Sequence, residues 1–180
     1  RVKAELKLSG AKAPFSGKLG TKDLFGTSVA GLGDINGDGI PDLAIGAPLD
    51  DTEDFDQGAV WIVHLGENAT VKHASKITGA APAFGGLLSD TEYFGSSLAL
   101  TADLDGNGMK DLIIGADGTD STGSDKGAIW LVQFEEEGQL KAAQRVSVVE
   151  GGFQGELDDG DFFGASVAYL SGLDGKKPPR

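Results

Sequence analysis

Apolar residues in this chain come in short runs cut by glycines and acidic turns, and the runs recur. GAVWIVHL (58–65) and GAIWLVQF (127–134) carry apolar side chains on both alternation phases, with Val60 and Ile62 on one and Ala59, Trp61 and Val63 on the other. A strand apolar on both phases is buried on both faces. DLAIGA (42–47) and DLIIGA (111–116) predict a strand just before it. Ahead of those, GTSVAGLG (26–33), GSSLALTA (95–102) and GASVAYLS (164–171) are rich in small residues, which suits a crowded inner strand. Residues 71–78 and 140–148 predict a fourth strand, and residues 2–8 look like the same piece of an earlier unit.

These runs keep one step. Phe25, Phe94 and Phe163, each followed by glycine, are 69 residues apart, as are Phe15, Phe84 and Phe153, Asp34 and Asp103, and Trp61 and Trp130. A fixed period of this length, with four short strands in it, predicts an all-β fold: a segment of a β-propeller built from four-stranded blades. A plain β-sandwich would not need the fixed step. Residues 10–78 and 79–147 are whole periods, 148–180 begins a third, and 1–9 supplies the last strand of a preceding blade. Repeat units bury their core against neighbours, so the expectation is a piece of a larger propeller, or one completed by other copies.

Composition narrows the partners. With 28 acidic against 15 basic residues the net charge is −13, which repels phosphate backbones and anionic lipid and argues against nucleic acid. The 29 glycines fit many tight turns. Without cysteine, disulfides are not the staples. No apolar run approaches the roughly 18 residues of a membrane span, so no membrane insertion is expected in this segment. Arg1 fits a processing boundary.

Candidate chemistry sits in DINGDGIPD (34–42), between the first and second strands, and in its counterpart DLDGNGMKD (103–111). Oxygens at positions 1, 3 and 5, a carbonyl at 7 and an acid at 9 can wrap a hard cation that takes oxygen ligands. The first loop offers Asp34, Asn36, Asp38, the Ile40 carbonyl and Asp42; the second offers Asp103, Asp105, Asn107, the Met109 carbonyl and Asp111. Glycines at positions 4 and 6 permit the positive φ such a loop needs. Calcium fits better than magnesium, which demands near-ideal octahedral geometry, and the absence of Cys and His in either loop disfavours zinc and copper. An EF-hand needs Glu at position 12, where this chain has Ile45 and Ile114. An Asx-turn without metal explains one such loop more readily than two at the same offset. The third copy puts Lys176 where an acid belongs, so two calcium sites are expected.

Taken together, FG, then D-x-[DN]-x-[DN]-G-x-x-D, then IGAP or IGAD, then GA-[VI]-W resembles the FG-GAP repeat, which builds the β-propeller of integrin α chains and of many bacterial and archaeal surface proteins. Phe25, Gly26, Gly46, Ala47 and Pro48 match the repeat's name, and the second copy has Asp117 in place of the proline. The resemblance implies seven blades when complete, calcium in the loops of one face, and partner contact through the loops of the other.

That other face should hold DDTEDFD (50–56) and ELDDGD (156–161), acidic loops read as solvated, with Phe55 as the candidate contact. Catalytic motifs are missing: no G-x-S-x-G, no H-E-x-x-H, no P-loop. His64 reads as a strand-end surface residue, and the tryptophans as packing. Asn68-Ala69-Thr70 meets the N-glycosylation pattern. The expected function is a non-enzymatic, calcium-binding extracellular or cell-surface module for adhesion, protein recognition or surface assembly. Its ligand would be a protein or glycan, or further copies of itself. The alternative is a non-catalytic accessory propeller of a secreted hydrolase, or a lectin.

Overall fold

The computed structural model describes residues 5, 7–10, 15 and 18–171. Two four-stranded antiparallel sheets follow each other along the chain, each in simple meander order. The first holds β1 (Val29–Gly33), β2 (Asp42–Ala47), β3 (Ala59–Leu65) and β4 (Val71–Ile77). The second holds β5 (Phe94–Leu100), β6 (Leu112–Ala116), β7 (Ala128–Glu135) and β8 (Gln139–Val146). The all-β expectation and the four strands per period are observed, with ends shifted by up to three residues. Among the described residues, no helix is long and apolar enough to cross a membrane.

The two phases of β3 point to different cores. Val60 and Ile62 join Leu112, Ile114, Trp130 and Val132 of the second sheet in one buried cluster. Trp61 and Val63 turn the other way, into a cluster with Phe15, Ile45 and Ala47. Every residue of β3 except Leu65 is buried, as the doubly apolar pattern requires. In β7 the phase of Trp130 and Val132 is buried, while Ile129 and Leu131 are only half-buried. That face turns toward the start of the third repeat, where Gly164 approaches Ile129.

The F-x-G phenylalanines are packing residues. Phe84 sets its ring edge-on to Phe94 at 5.2 Å and to Trp130 at 5.0 Å. Phe15, Phe25 and Trp61 form the same triad one period earlier. Successive units are tied by backbone: Gly58 bridges Phe94, and Gly127 bridges Phe163. Serine hydroxyls reinforce the tie, Ser28 donating to the Gly95 carbonyl and Ser97 to that of Gly164, each at 2.6 Å.

The FG turn recurs a third time, with Gly164 at φ 98° beside 94° and 96° at Gly26 and Gly95. The strand expected over 164–171 does not form. Its hydrogen-bonding partner would be a following second strand, and none lies beside it among the described residues. The strand expected over 2–8 and the third loop over 172–180 lie wholly or largely outside the described residues.

Candidate metal centres

Both acidic loops lie between the first and second strands of their sheets, at the end where the third strand turns into the fourth. Their glycines take the expected conformation: Gly37 and Gly39 have φ of 75° and 85°, Gly106 and Gly108 of 78° and 90°. The position-1 carboxylate folds each loop around itself. Asp34 accepts from the amides of Asp38 and Gly39 at 2.9 and 2.7 Å. Asp103 accepts from Gly106, Asn107 and Gly108 at 2.7, 3.1 and 2.8 Å. Position 5 then holds the amide of position 7, Asp38 accepting from Ile40 at 2.9 Å and Asn107 from Met109 at 2.7 Å.

The ninth position anchors the loop to the sheet. Asp42 and Asp111 are fully buried. Asp42 has its oxygens occupied, by the Leu65 amide at 2.9 Å, the Ile35 amide at 3.3 Å and His64 Nδ1 at 3.3 Å. Asp111 does not. One oxygen accepts from the Leu104 amide at 2.7 Å, and the other, Oδ1, is buried with no hydrogen bond. The Phe134 amide, the counterpart of Leu65 by the repeat, favours the charged form of this carboxylate. Burial outweighs both amides and pushes the Asp111 carboxyl above the ordinary range, with Asp105 and Asp103 adding to the rise.

Asp103, Asp105 and Asp111 bring ligand oxygens within 4.8 Å of one another, the one such acidic group among the described residues. This is an all-oxygen donor set of three carboxylates around a buried, unpartnered oxygen, and a divalent hard cation fits it. Burying an unpaired charge is costly, and a cation there would remove the cost. The first loop does not gather its three acids so closely. Its third acid stands at position 5, as Asp38, and Asn36 occupies the position that Asp105 holds in the second loop.

Three neighbours of the loops were not legible as such. His64 is 7% exposed rather than on the surface, because it lies under the loop with Nδ1 between Asp42 and Asn36 Nδ2, the latter at 3.2 Å. Its counterpart by the repeat is Gln133. Lys72 and Lys141 reach into the loops from the fourth strands, Lys141 meeting Asp105 at 2.5 Å. The signal for the lysines was their own 69-residue spacing.

At the opposite end, the loop expected to be solvated is partly interior. Asp50 is 2% exposed and pairs with Lys76 at 2.6 Å, because Lys76 runs across the Trp61 ring, 5.0 Å from its centre. In the second sheet Arg145 covers Trp130 at 5.8 Å and meets the buried Glu92 at 3.7 Å. Phe55 is 64% exposed.

A family model for the FG-GAP repeat matches residues 25–63 and 94–132. Human integrin alpha-6 is 40% identical over 99 residues, 54% of this chain and 7% of that protein. Human integrin alpha-X is 38% identical over 96 residues, 52% of this chain and 8% of its own length. Integrin alpha-5 of Xenopus laevis is 42% identical over 98 residues, 54% and 9% respectively. The chain therefore spans less than a tenth of each of these relatives. Residues 25–63 and 94–132 are FG-GAP repeats, and the two four-stranded sheets that contain them are blades of a β-propeller.

Proposed function

We propose that this chain is part of a calcium-binding, extracellular or cell-surface propeller that serves adhesion, protein recognition or surface assembly, and that it is not an enzyme. The observation that carries the calcium reading is Asp111, whose buried Oδ1 lacks a hydrogen bond inside a cluster with Asp103 and Asp105. In the second loop Asp103, Asp105, Asn107, Asp111 and the Met109 carbonyl would hold the ion. In the first, Asp34, Asn36, Asp38, Asp42 and the Ile40 carbonyl would do so. The ion supplies positive charge that lets each acid-rich loop pack against its blade. The similarity to integrin alpha chains supports the adhesion and surface reading. The chain would bind a protein or glycan ligand, or further copies of itself, through the face opposite the calcium loops, and belong to a seven-bladed whole with repeats at 10–78 and 79–147.

Extracellular calcium modules bind in the range of roughly 10⁻⁴ to 10⁻³ M. Melting with millimolar calcium and with chelator tests the reading. Calcium should raise the melting temperature, and the combined Asp38→Ala and Asn107→Ala chain should lose that gain. Equal melts for the wild-type chain with and without calcium defeat it.

A further inference from the structure

We propose that Lys72 and Lys141 are resident counter-cations of the two acidic loops, holding each loop together without metal and lowering its affinity for a divalent ion. The inference rests on the calcium reading above. The two lysines stand 69 residues apart, on the fourth strand of each blade. Each is the unpaired residue of a β-bulge. In the first sheet His64 pairs with His73 and Leu65 with Val71, which leaves Lys72 out of register. In the second, Gln133 pairs with Ala142 and Phe134 with Leu140, which leaves out Lys141. A bulge re-aims a side chain, and here it aims both lysines across the blade end at the acidic loop.

What each lysine meets is more telling than where it sits. The two loops exchange the charge at positions 3 and 5: Asn36 and Asp38 in the first, Asp105 and Asn107 in the second. Lys72 pairs with Asp38 at 2.9 Å, and Lys141 pairs with Asp105 at 2.5 Å. The lysine follows the carboxylate from one position to the other. In both loops that carboxylate divides its oxygens the same way. Asp38 accepts from the Ile40 amide at Oδ1 and from Lys72 at Oδ2. Asp105 accepts from the Asn107 amide at Oδ1 and from Lys141 at Oδ2. A lysine with no particular partner has no reason to track an acid that moves. The ammonium cancels one of the three negative charges in each loop, so the loop repels itself less. The same positive charge stands beside the place where a divalent cation must settle and opposes it.

A purely orienting role predicts the opposite sign. If the lysine only held its carboxylate in place for the ion, removing it would weaken calcium binding. Lys72→Met and Lys141→Met, singly and together in this chain, separate the two by calorimetric calcium titration and by melting in chelator. Each single variant should melt about 1–4 °C lower in chelator and bind calcium about two- to fivefold more tightly at its own loop, the scale of an exposed ion pair. Lys→Arg at either position should keep wild-type values in both assays. Unchanged or weaker calcium binding in the Met variants overturns the proposal, as does an unchanged melt in chelator. A wild-type chain that takes up no calcium sinks the calcium reading and the affinity half of this one. The chelator melt, which needs no metal, tells that failure apart from a failed clamp.

Discussion

Gly46 and Gly95 meet backbone to backbone where the two blades join. A Cβ on Gly46 would lie 2.0 Å from the Gly95 carbonyl oxygen and 2.2 Å from Ser28 Oγ. Gly115 and Gly164 repeat the approach at 2.1 Å. The glycine of GA in one repeat is thus the seat for the glycine of FG in the next. Gly46→Ala should cost about 1–3 kcal/mol, the usual penalty for forcing atoms into a packed contact. Gly31→Ala, where nothing lies within 4 Å of the added methyl, should change stability by less than about 0.5 kcal/mol. Denaturant unfolding of the two variants checks the contrast, and equal losses would remove the junction as the reason for the motif.

Phe84 carries a larger share of the stability. It is 1% exposed and wedged edge-on between Phe94 and Trp130. Truncation leaves a ring-sized void that the surrounding strands fill only in part. Phe84→Ala should therefore destabilise by about 3–5 kcal/mol. Phe84→Leu, which keeps most of the apolar volume, should lose clearly less. A chain that unfolds at the wild-type denaturant concentration after Phe84→Ala would show that the aromatic triad is not where the blade is held.

Phe84 and Trp130 were readable before any coordinates because the 69-residue step placed each beside a counterpart, and repetition separates packing from chance. The two acidic loops could be located for the same reason, since their first and last acids and their glycines keep that step. Asp50, His64 and Lys72 were not. Asp50 sits in an acid-rich turn, and its partner Lys76 reaches it across Trp61 from the fourth strand. His64 has Gln133 as its counterpart, so the repeat gave no warning of its contact with Asp42. Lys72 owes its direction to a bulge, a register defect between strands that no single-strand pattern records. Local periodicity carried the strands. Contacts between a side chain and a distant loop had to come from the folded arrangement.

Phe55 separates surface chemistry from stability. It projects at 64% exposure from the loop between β2 and β3, among Asp51, Asp54 and Asp56. Its backbone carbonyl, not its ring, makes the contact inward, accepting from the Thr91 amide at 2.8 Å. Phe55→Ala should leave the melting temperature near wild type, within the roughly 0.5 kcal/mol typical of surface substitutions. If this face takes the partner, the same change should weaken adhesion to a surface the wild-type chain adheres to. A large loss of stability would mean that the ring is structural.

Glu92 gives the opposite face a pH dependence of definite sign. Burial raises its carboxyl above the usual range, against the Thr119 hydroxyl that donates at 2.7 Å and the Arg145 charge that oppose the rise, with Asp120 adding slightly to it. Arg145 is shared with Glu150, which dilutes its help to Glu92. A carboxyl with a raised folded value holds its proton in the native state at pH values where the unfolded chain has released it. Stability from this group is therefore present at low pH and declines as pH climbs from about 4, the ordinary glutamate value, through the folded value. Glu92→Gln keeps the shape and has no proton to lose. With calcium held constant, the melting temperature of Glu92→Gln relative to wild type should rise between pH 4 and pH 7. A difference that falls would mean that Arg145 and Thr119 outweigh burial and that Glu92 is held as a stabilising anion, and a flat one that they cancel it; either would overturn the expectation.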